Sequence, residues 1–298
     1  MNLIEKYGPI AGKKSINQYC PPKCFELEGK EFKFVLDTGE EAGEYLLKVT
    51  GKTDLEWSFR GSPMKKETYE CRKSDDWTYL LTFTIDGTDH RENHTFVIDL
   101  EQELVTFLLC KAGENPYYPY IIETHFGFGY IAIEGKEHTD LRRHGFTADV
   151  ADTCVRWVYG HNLSTVHVYH DPHWYRIGYP KNRVDTKEVP DATKRIRALM
   201  QEMPSSDEQA YYIKIKEAMY LVSVTEQNLE KLLAERFGFR SDTLCFLDNW
   251  DRMYSVGRAF GKRTVDGEDQ DLFIMIGKYG VPEEVEDRFF TDPIPYLV

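Results

Sequence analysis

The chain says nearly the same thing twice, with a period near half its length. Tyr79-Leu80-Leu81-Thr82-Phe83-Thr84-Ile85 in the first half matches Tyr220-Leu221-Val222-Ser223-Val224-Thr225-Glu226 in the second. Each run is followed by another, Thr95-Phe96-Val97-Ile98-Asp99 and then Leu244-Cys245-Phe246-Leu247-Asp248. A long-period repeat of this kind predicts two copies of one β-rich unit. The copies differ at one telling place. The first ends its apolar face with Ile85 and the second with Glu226. A carboxylate where the sister copy keeps an aliphatic side chain points to a site in the second copy.

Alternation along the chain supports a β fold. Phe32, Phe34 and Leu36 share one face, and short strands punctuated by turns follow from there to residue 110. Residues 1–28 read as an irregular arm, 111–118 as a linker, and 119–134 as a strand pair of uncertain ownership. The second unit resumes near 153. Asp191 caps an expected helix with Ile196, Leu199, Met200 and Met203 on one face. Leu229, Leu232, Leu233 and Phe237 mark another, stopped by Gly238. The fold class expected is all-β, two tandem antiparallel barrels over residues 1–135 and 136–298, with short helical insertions in the second.

Composition excludes several functions. A net charge of -13 disfavours a phosphate-backbone binder and an anionic membrane surface. No run of 18 apolar residues is present, and the start lacks the basic-then-apolar pattern of a signal peptide, so a cytoplasmic location is expected. The six cysteines are then reduced. Cys20 and Cys24 lack the second pair that a zinc site requires, and Cys71, Cys110, Cys154 and Cys245 read as apolar fillers. Gly127-Phe128-Gly129 lacks the helix that would cradle phosphate. Neither a cofactor nor a metal is expected. The partner expected is a small aromatic molecule, with a second copy of the chain as a further option.

Two stretches of the second unit resemble the phenolic acid decarboxylases, small single-barrel enzymes of the lipocalin-like (calycin) superfamily. One runs from Lys214 through Glu226, the other from Thr165 through Ile177. The whole chain is more specifically similar to the MoaF family. Cys245-Phe246-Leu247-Asp248-Asn249, Tyr254-Ser255-Val256-Gly257-Arg258 and Phe289-Phe290-Thr291-Asp292-Pro293 carry that resemblance. It implies two lipocalin-like domains. The decarboxylase resemblance implies that Glu226 is the acid and that Tyr169 is one of two Tyr holding a carboxylate. His167 stands at the other Tyr position, and residues 203–208 contain no counterpart of the family's Arg.

Strand parity tests the same residues without family knowledge. Tyr220, Val222, Val224 and Glu226 share a face. If that face looks inward, desolvation raises the Glu226 carboxyl towards a general acid. The alternative is a rim position capping a helix that starts near Gln227. His167 and Tyr169 share a face and suit an anionic or phenolic ligand, or else the His is a satisfied core group. Glu226, His167 and Tyr169 are the candidate catalytic residues. Tyr220, Tyr254, Arg258 and Trp174 are the candidate ligand-binding ones, with Arg258 the expected carboxylate partner. His167, His170 and His173 have metal-like spacing, but Asp171-Pro172 turns the chain between them. His90 and His94 read as solvated in a polar hairpin loop, and Arg142-Arg143-His144 as a surface feature.

Overall fold

The computed structural model describes residues 17–86, 91–113, 122–160, 163–178, 205–226, 228, 239–265 and 268–284. Eight strands form the first unit: β1 (Glu31–Gly39), β2 (Gly43–Val49), β3 (Asp54–Phe59), β4 (Lys65–Lys73), β5 (Thr78–Asp86), β6 (Arg91–Asp99), β7 (Leu104–Ala112) and β8 (Ile122–Ala132). They pair in chain order, and β8 returns to β1 to close an antiparallel barrel. A two-residue strand, β9 (Gly145–Phe146), precedes the second set. That set is β10 (Thr153–Gly160), β11 (Leu163–Asp171), β12 (Trp174–Gly178), β13 (Ser206–Lys216), β14 (Met219–Thr225), β15 (Phe239–Asn249), β16 (Tyr254–Val265) and β17 (Glu268–Pro282). These also pair in order, with β17 bonded to β10. β13 bonds β12 near its start and β9 near its end. The protein is therefore all-β, with two closed eight-stranded barrels. The helices expected near 191–203 and 229–237 lie outside the described residues.

Side-chain alternation shows what covers each face. In β2, Tyr45, Leu47 and Val49 are buried while Leu46 and Lys48 are exposed, as in a strand with one wet face. In β5 to β7 both faces are buried. Their inward residues, such as Leu81, Phe96 and Phe107, fill the first barrel. Their outward residues, such as Leu80, Val97 and Leu108, join Leu221, Leu247 and Val256 of the second barrel in one apolar cluster. The two barrels thus share a buried seam along their outer walls.

Arg258 lies in that seam and is fully buried. Its Nε donates to Thr95 Oγ1 of the first barrel at 3.3 Å. One terminal nitrogen donates to the Thr243 carbonyl at 2.8 Å, and the other to Cys110 Sγ at 3.1 Å. A buried guanidinium needs such a set of acceptors, and here they come from both barrels. Tyr254 lies on the same strand face, packed against the same cluster. Neither side chain enters the second barrel, because β16 turns its even-numbered residues outward.

Several other expectations change. Lys111 and Ala112 belong to β7, which pairs with β8 of the same barrel, so no passage between units occurs there. Residues 114–118 of the expected linker lie outside the described residues, and one strand, β8, occupies 122–132. His94 is not solvated: β6 carries it into the first barrel, where it is 2% exposed. Of the Arg142-Arg143-His144 spot, Arg142 is exposed. Arg143 clamps Asp37 with two bonds of 2.8 and 2.6 Å, and His144 is buried against Thr106 at 2.8 Å. The start of the described chain runs over both barrels. Tyr19 N donates to Tyr159 O at 3.3 Å, and Cys24 N to Cys71 O at 2.9 Å. Gly277 is required there, since a Cβ would come within 2.4 Å of the Cys20 Cα.

Arg258→Ala should lower global stability by about 3–5 kcal/mol, because it leaves a cavity and unpaired acceptors in the seam. Urea denaturation of the full chain measures this, and a change below about 1 kcal/mol would show that the guanidinium does not bind the barrels together.

Candidate active site in the second barrel

Strand order fixes which residues of the two barrels correspond. β5 and β14 are each the fifth strand of their barrel, so Tyr79, Leu81, Phe83 and Ile85 correspond to Tyr220, Val222, Val224 and Glu226. The next strand differs by one residue from the direct sequence match. Tyr79 pairs with Ile98, whereas Tyr220 pairs with Asp248, so Asp248 corresponds to Ile98 and not to Asp99. Continuing across the ladder, Ser255 takes the place of Val105, and Lys278 that of Gly129. In the other direction, Tyr175, His167 and Tyr169 take the places of Leu55, Leu47 and Val49. Seven inward positions that are apolar or glycine in the first barrel are polar in the second.

These groups sit close together. Tyr175 donates its hydroxyl proton to Glu226 Oε1 at 3.0 Å. The His167 ring lies 4.9 Å from the Tyr175 ring, centroid to centroid. His167 Nε2 is 2.9 Å from Thr165 Oγ1, and its Nδ1 is 3.3 Å from the Tyr169 hydroxyl, which also accepts from Trp157 Nε1 at 3.0 Å. Lys278 Nζ lies 3.4 Å from Asp248 Oδ1, both side chains being 0% exposed. The ammonium also sits 3.6 Å from the Phe246 ring centroid and 4.1 Å from that of Trp157. Aromatic faces offer it partial compensation for lost water.

Burial sets the protonation states. It drives His167 well below the ordinary imidazole range, helped by the charge on Lys278. The ring is neutral, with one nitrogen donating and one accepting. Burial also pushes Tyr169 and Tyr175 well up, with the Glu226 charge adding to the rise at Tyr175. Lys278 is drawn down to about 8 by burial, against the pull of Asp248 and Glu226. Asp248 is raised by burial, against the pull of Lys278.

The space above this polar layer also differs between barrels. Tyr69, Phe83, Phe107 and Leu109 of the first barrel correspond to Ala210, Val224, Gly257 and Ala259. Ile276, at the place of Gly127, returns part of that volume. The exchange is from large to small at four inward positions, and it favours room for a ligand in the second barrel.

The structure brings Glu226, His167, Tyr169 and Tyr220 to the inner face. Glu226 is half-buried one residue past β14, at the rim end of the polar set. Tyr220 lies at the other end, across from Asp248. Trp174 is 41% exposed on the outer face of β12. His170 pairs with Asp207 at 3.4 Å outside the barrel and His173 is exposed, so they diverge from His167. Among the described residues no His, Cys, Asp or Glu group gathers as a metal ligand set. Sequence reasoning missed Lys278 and Tyr175. Lys278 ends the inward series Leu272, Ile274, Ile276, but Phe273 and Met275 on the other face are apolar too, so parity carried no signal.

Residues 12–113 match the family model of the MoaF N-terminal domain. The first barrel is thus similar to a MoaF N-terminal domain over its first seven strands. The match ends one residue past β7, so β8 and the whole second barrel lie beyond it. No curated protein matches the chain. No helix among the described residues is long and apolar enough to cross a membrane. The first barrel keeps Ile85, Ile98 and Leu47 where the second barrel carries Glu226, Asp248 and His167.

Two outcomes follow for stability. Lys278→Met should cost about 3–5 kcal/mol by leaving Asp248 buried without its cation, and adding Asp248→Leu should restore most of the loss. Urea titrations of the single and double variants test that coupling. The second concerns pH. His94, His144 and His167 all have lowered pKa values through burial. The unfolded chain binds their protons first, near about pH 6.5, so stability should fall as pH drops from 7 to 5. Each contributes a slope of up to about 1.4 kcal/mol per pH unit. His167→Leu should flatten the slope by one histidine's share, and an unchanged slope would mean that His167 is charged in the fold.

Proposed function

We propose that the second barrel holds a small aromatic or unsaturated acid and that Glu226 moves a proton on it. The protein is then a lyase of the decarboxylase type, or an isomerase. One observation carries this reading: the Tyr175 hydroxyl holds Glu226 on an inner face walled by aromatic rings, at the position the first barrel fills with Ile85. A carboxyl so held can give a proton to an unsaturated carbon and receive one back. Delivery of the proton leaves a positive centre conjugated with the ring. Loss of a different proton to the carboxylate completes an isomerisation. Loss of CO2 from the substrate completes a decarboxylation, with the proton retained in the product.

The neighbours have matching roles. The Lys278 ammonium supplies positive charge on the inner face for an acid, in place of the Arg258 expected from sequence. Neutral His167 and the Tyr169 hydroxyl orient a phenol or carboxylate by hydrogen bonds. A second reading, a binder without turnover, is favoured by the hydrogen bonds that Thr165, His167, Tyr169 and Trp157 already make with one another.

Glu226→Gln separates the two. Against a panel of hydroxycinnamates and related acids, the lyase reading expects turnover to fall by about a hundredfold or more while affinity is kept. Full activity in the variant would sink the assignment to Glu226. Binding without turnover in both proteins would select the binder.

A further inference from the structure

The first barrel has a cavity of its own. Its mouth opens on a cavity of about 230 Å³, lined by Trp57, Phe59, Leu109 and His94 with Glu41, Arg60, Ser62, Glu92 and Lys111. The register shows that this set is particular to the first barrel. Tyr45, Trp57 and His94 correspond to Thr165, Ile177 and Leu244 in the second. Trp57 and His94 therefore have apolar counterparts, Tyr45 alone of the three has a polar one, and the first barrel is not a filled copy of the second.

His94 is built in from all sides. Its Nδ1 is 2.7 Å from the Tyr45 hydroxyl and its Nε2 3.2 Å from Glu92 Oε2. Rings of Trp57, Phe83, Tyr45 and Phe107 stand within 4.9–5.8 Å of it, centroid to centroid. Burial keeps it below the ordinary imidazole range despite Glu92. Trp57 is 4% exposed, and its Nε1 is buried with no hydrogen-bond partner among the described residues. An orphaned indole N–H in a cavity wall is costly, and a ligand acceptor would relieve it.

The charges narrow the ligand. Glu41 is ion-paired with Arg60 at 3.1 Å, and Arg60 also stacks over Phe59 at 4.5 Å. Glu92 and Lys111 stand opposite each other on β6 and β7. Two acids and two bases face one small cavity with an aromatic wall. A simple anion would meet both carboxylates, and a simple cation both bases. A zwitterion meets each with its opposite.

We propose that the mouth of the first barrel binds a zwitterionic aromatic amino acid or a close analogue. The ring lies against Trp57 and Phe59, the ammonium faces Glu92 and Glu41, and the carboxylate faces Lys111 and the Trp57 N–H. This site is independent of the reading offered for the second barrel.

Isothermal titration calorimetry of the full-length protein tests it, with phenylalanine, tyrosine and tryptophan against benzoate, phenethylamine and glycine. Saturable binding of at least one aromatic amino acid is expected, with the three partial compounds weaker by about tenfold or more. Lys111→Met and Trp57→Phe should each weaken it about tenfold, and Glu226→Gln should leave it unchanged. Lys111→Met keeps the aliphatic stem and carries the test alone if Trp57→Phe fails to fold. Absence of heat with all three amino acids at millimolar concentration would overturn the proposal. So would binding that ignores Lys111→Met and disappears in Glu226→Gln, since that places the ligand in the other barrel.

Discussion

The buried seam between the barrels is the constraint on which the rest depends. An isolated barrel has a dry inside and a wet outside, and its strands alternate accordingly. Here β5 to β7, β14, and residues 243–249 of β15 and 255–261 of β16 are largely dry on both faces, because each barrel's outer wall is roofed by the other. Apolar packing alone between closed sheets has no directional contacts to hold its register. Arg258 supplies buried ones by donating to Thr95 and Cys110 on one side and to Thr243 on the other. Gln102 donating to the Ile215 carbonyl, Arg252 to the Ser74 carbonyl and Lys216 paired with Asp75 add others. The guanidinium is more a dowel than a ligand clamp, and the interiors of both barrels are left free to diverge.

They have diverged in chemistry rather than in frame. The backbone pairing matches strand for strand, yet most of the polar residues occupy different inward positions, Tyr45 and Thr165 sharing one. In the second barrel they run from Asp248, Ser255 and Lys278 through His167 and Tyr169 to Tyr175 and Glu226. In the first they gather at Tyr45, Trp57 and His94. Buried polar groups oppose folding unless something compensates them. Hydrogen bonds compensate His167, and aromatic faces with Asp248 compensate Lys278.

Much of the fold was legible because β periodicity is a local signal. Phe32, Phe34 and Leu36 announce β1 unaided, and the Tyr79 and Tyr220 runs announce the repeat. Site residues were legible only where one face of a strand was distinctive. Glu226 stood out against Ile85, and His167 with Tyr169 against the surrounding valines. Arg258 was misread because its parity gives a face but not which side of the wall that face occupies. Lys278 was invisible for the same reason: the seam makes its strand apolar on both sides. His94 was misplaced because the polar residues before it read as loop, although β6 begins at Arg91. The one-residue offset at Asp248 came from matching letters, where only the Tyr220 pairing sets the register.

The strap formed by the start of the described chain has a bearing on how the protein is made. Tyr19 and Cys20 rest on β10 and β17, while Cys24, a few residues on, is bonded to β4. On the ribosome the first barrel can close once β8 has emerged, since its ladder needs nothing later. The strap cannot dock fully until the last strand of the second barrel has been synthesised. Contacts between such distant segments form slowly and late. Residues 19–24, though they precede both barrels in the chain, are thus among the last to find their place, and their docking marks the moment at which both barrels are complete.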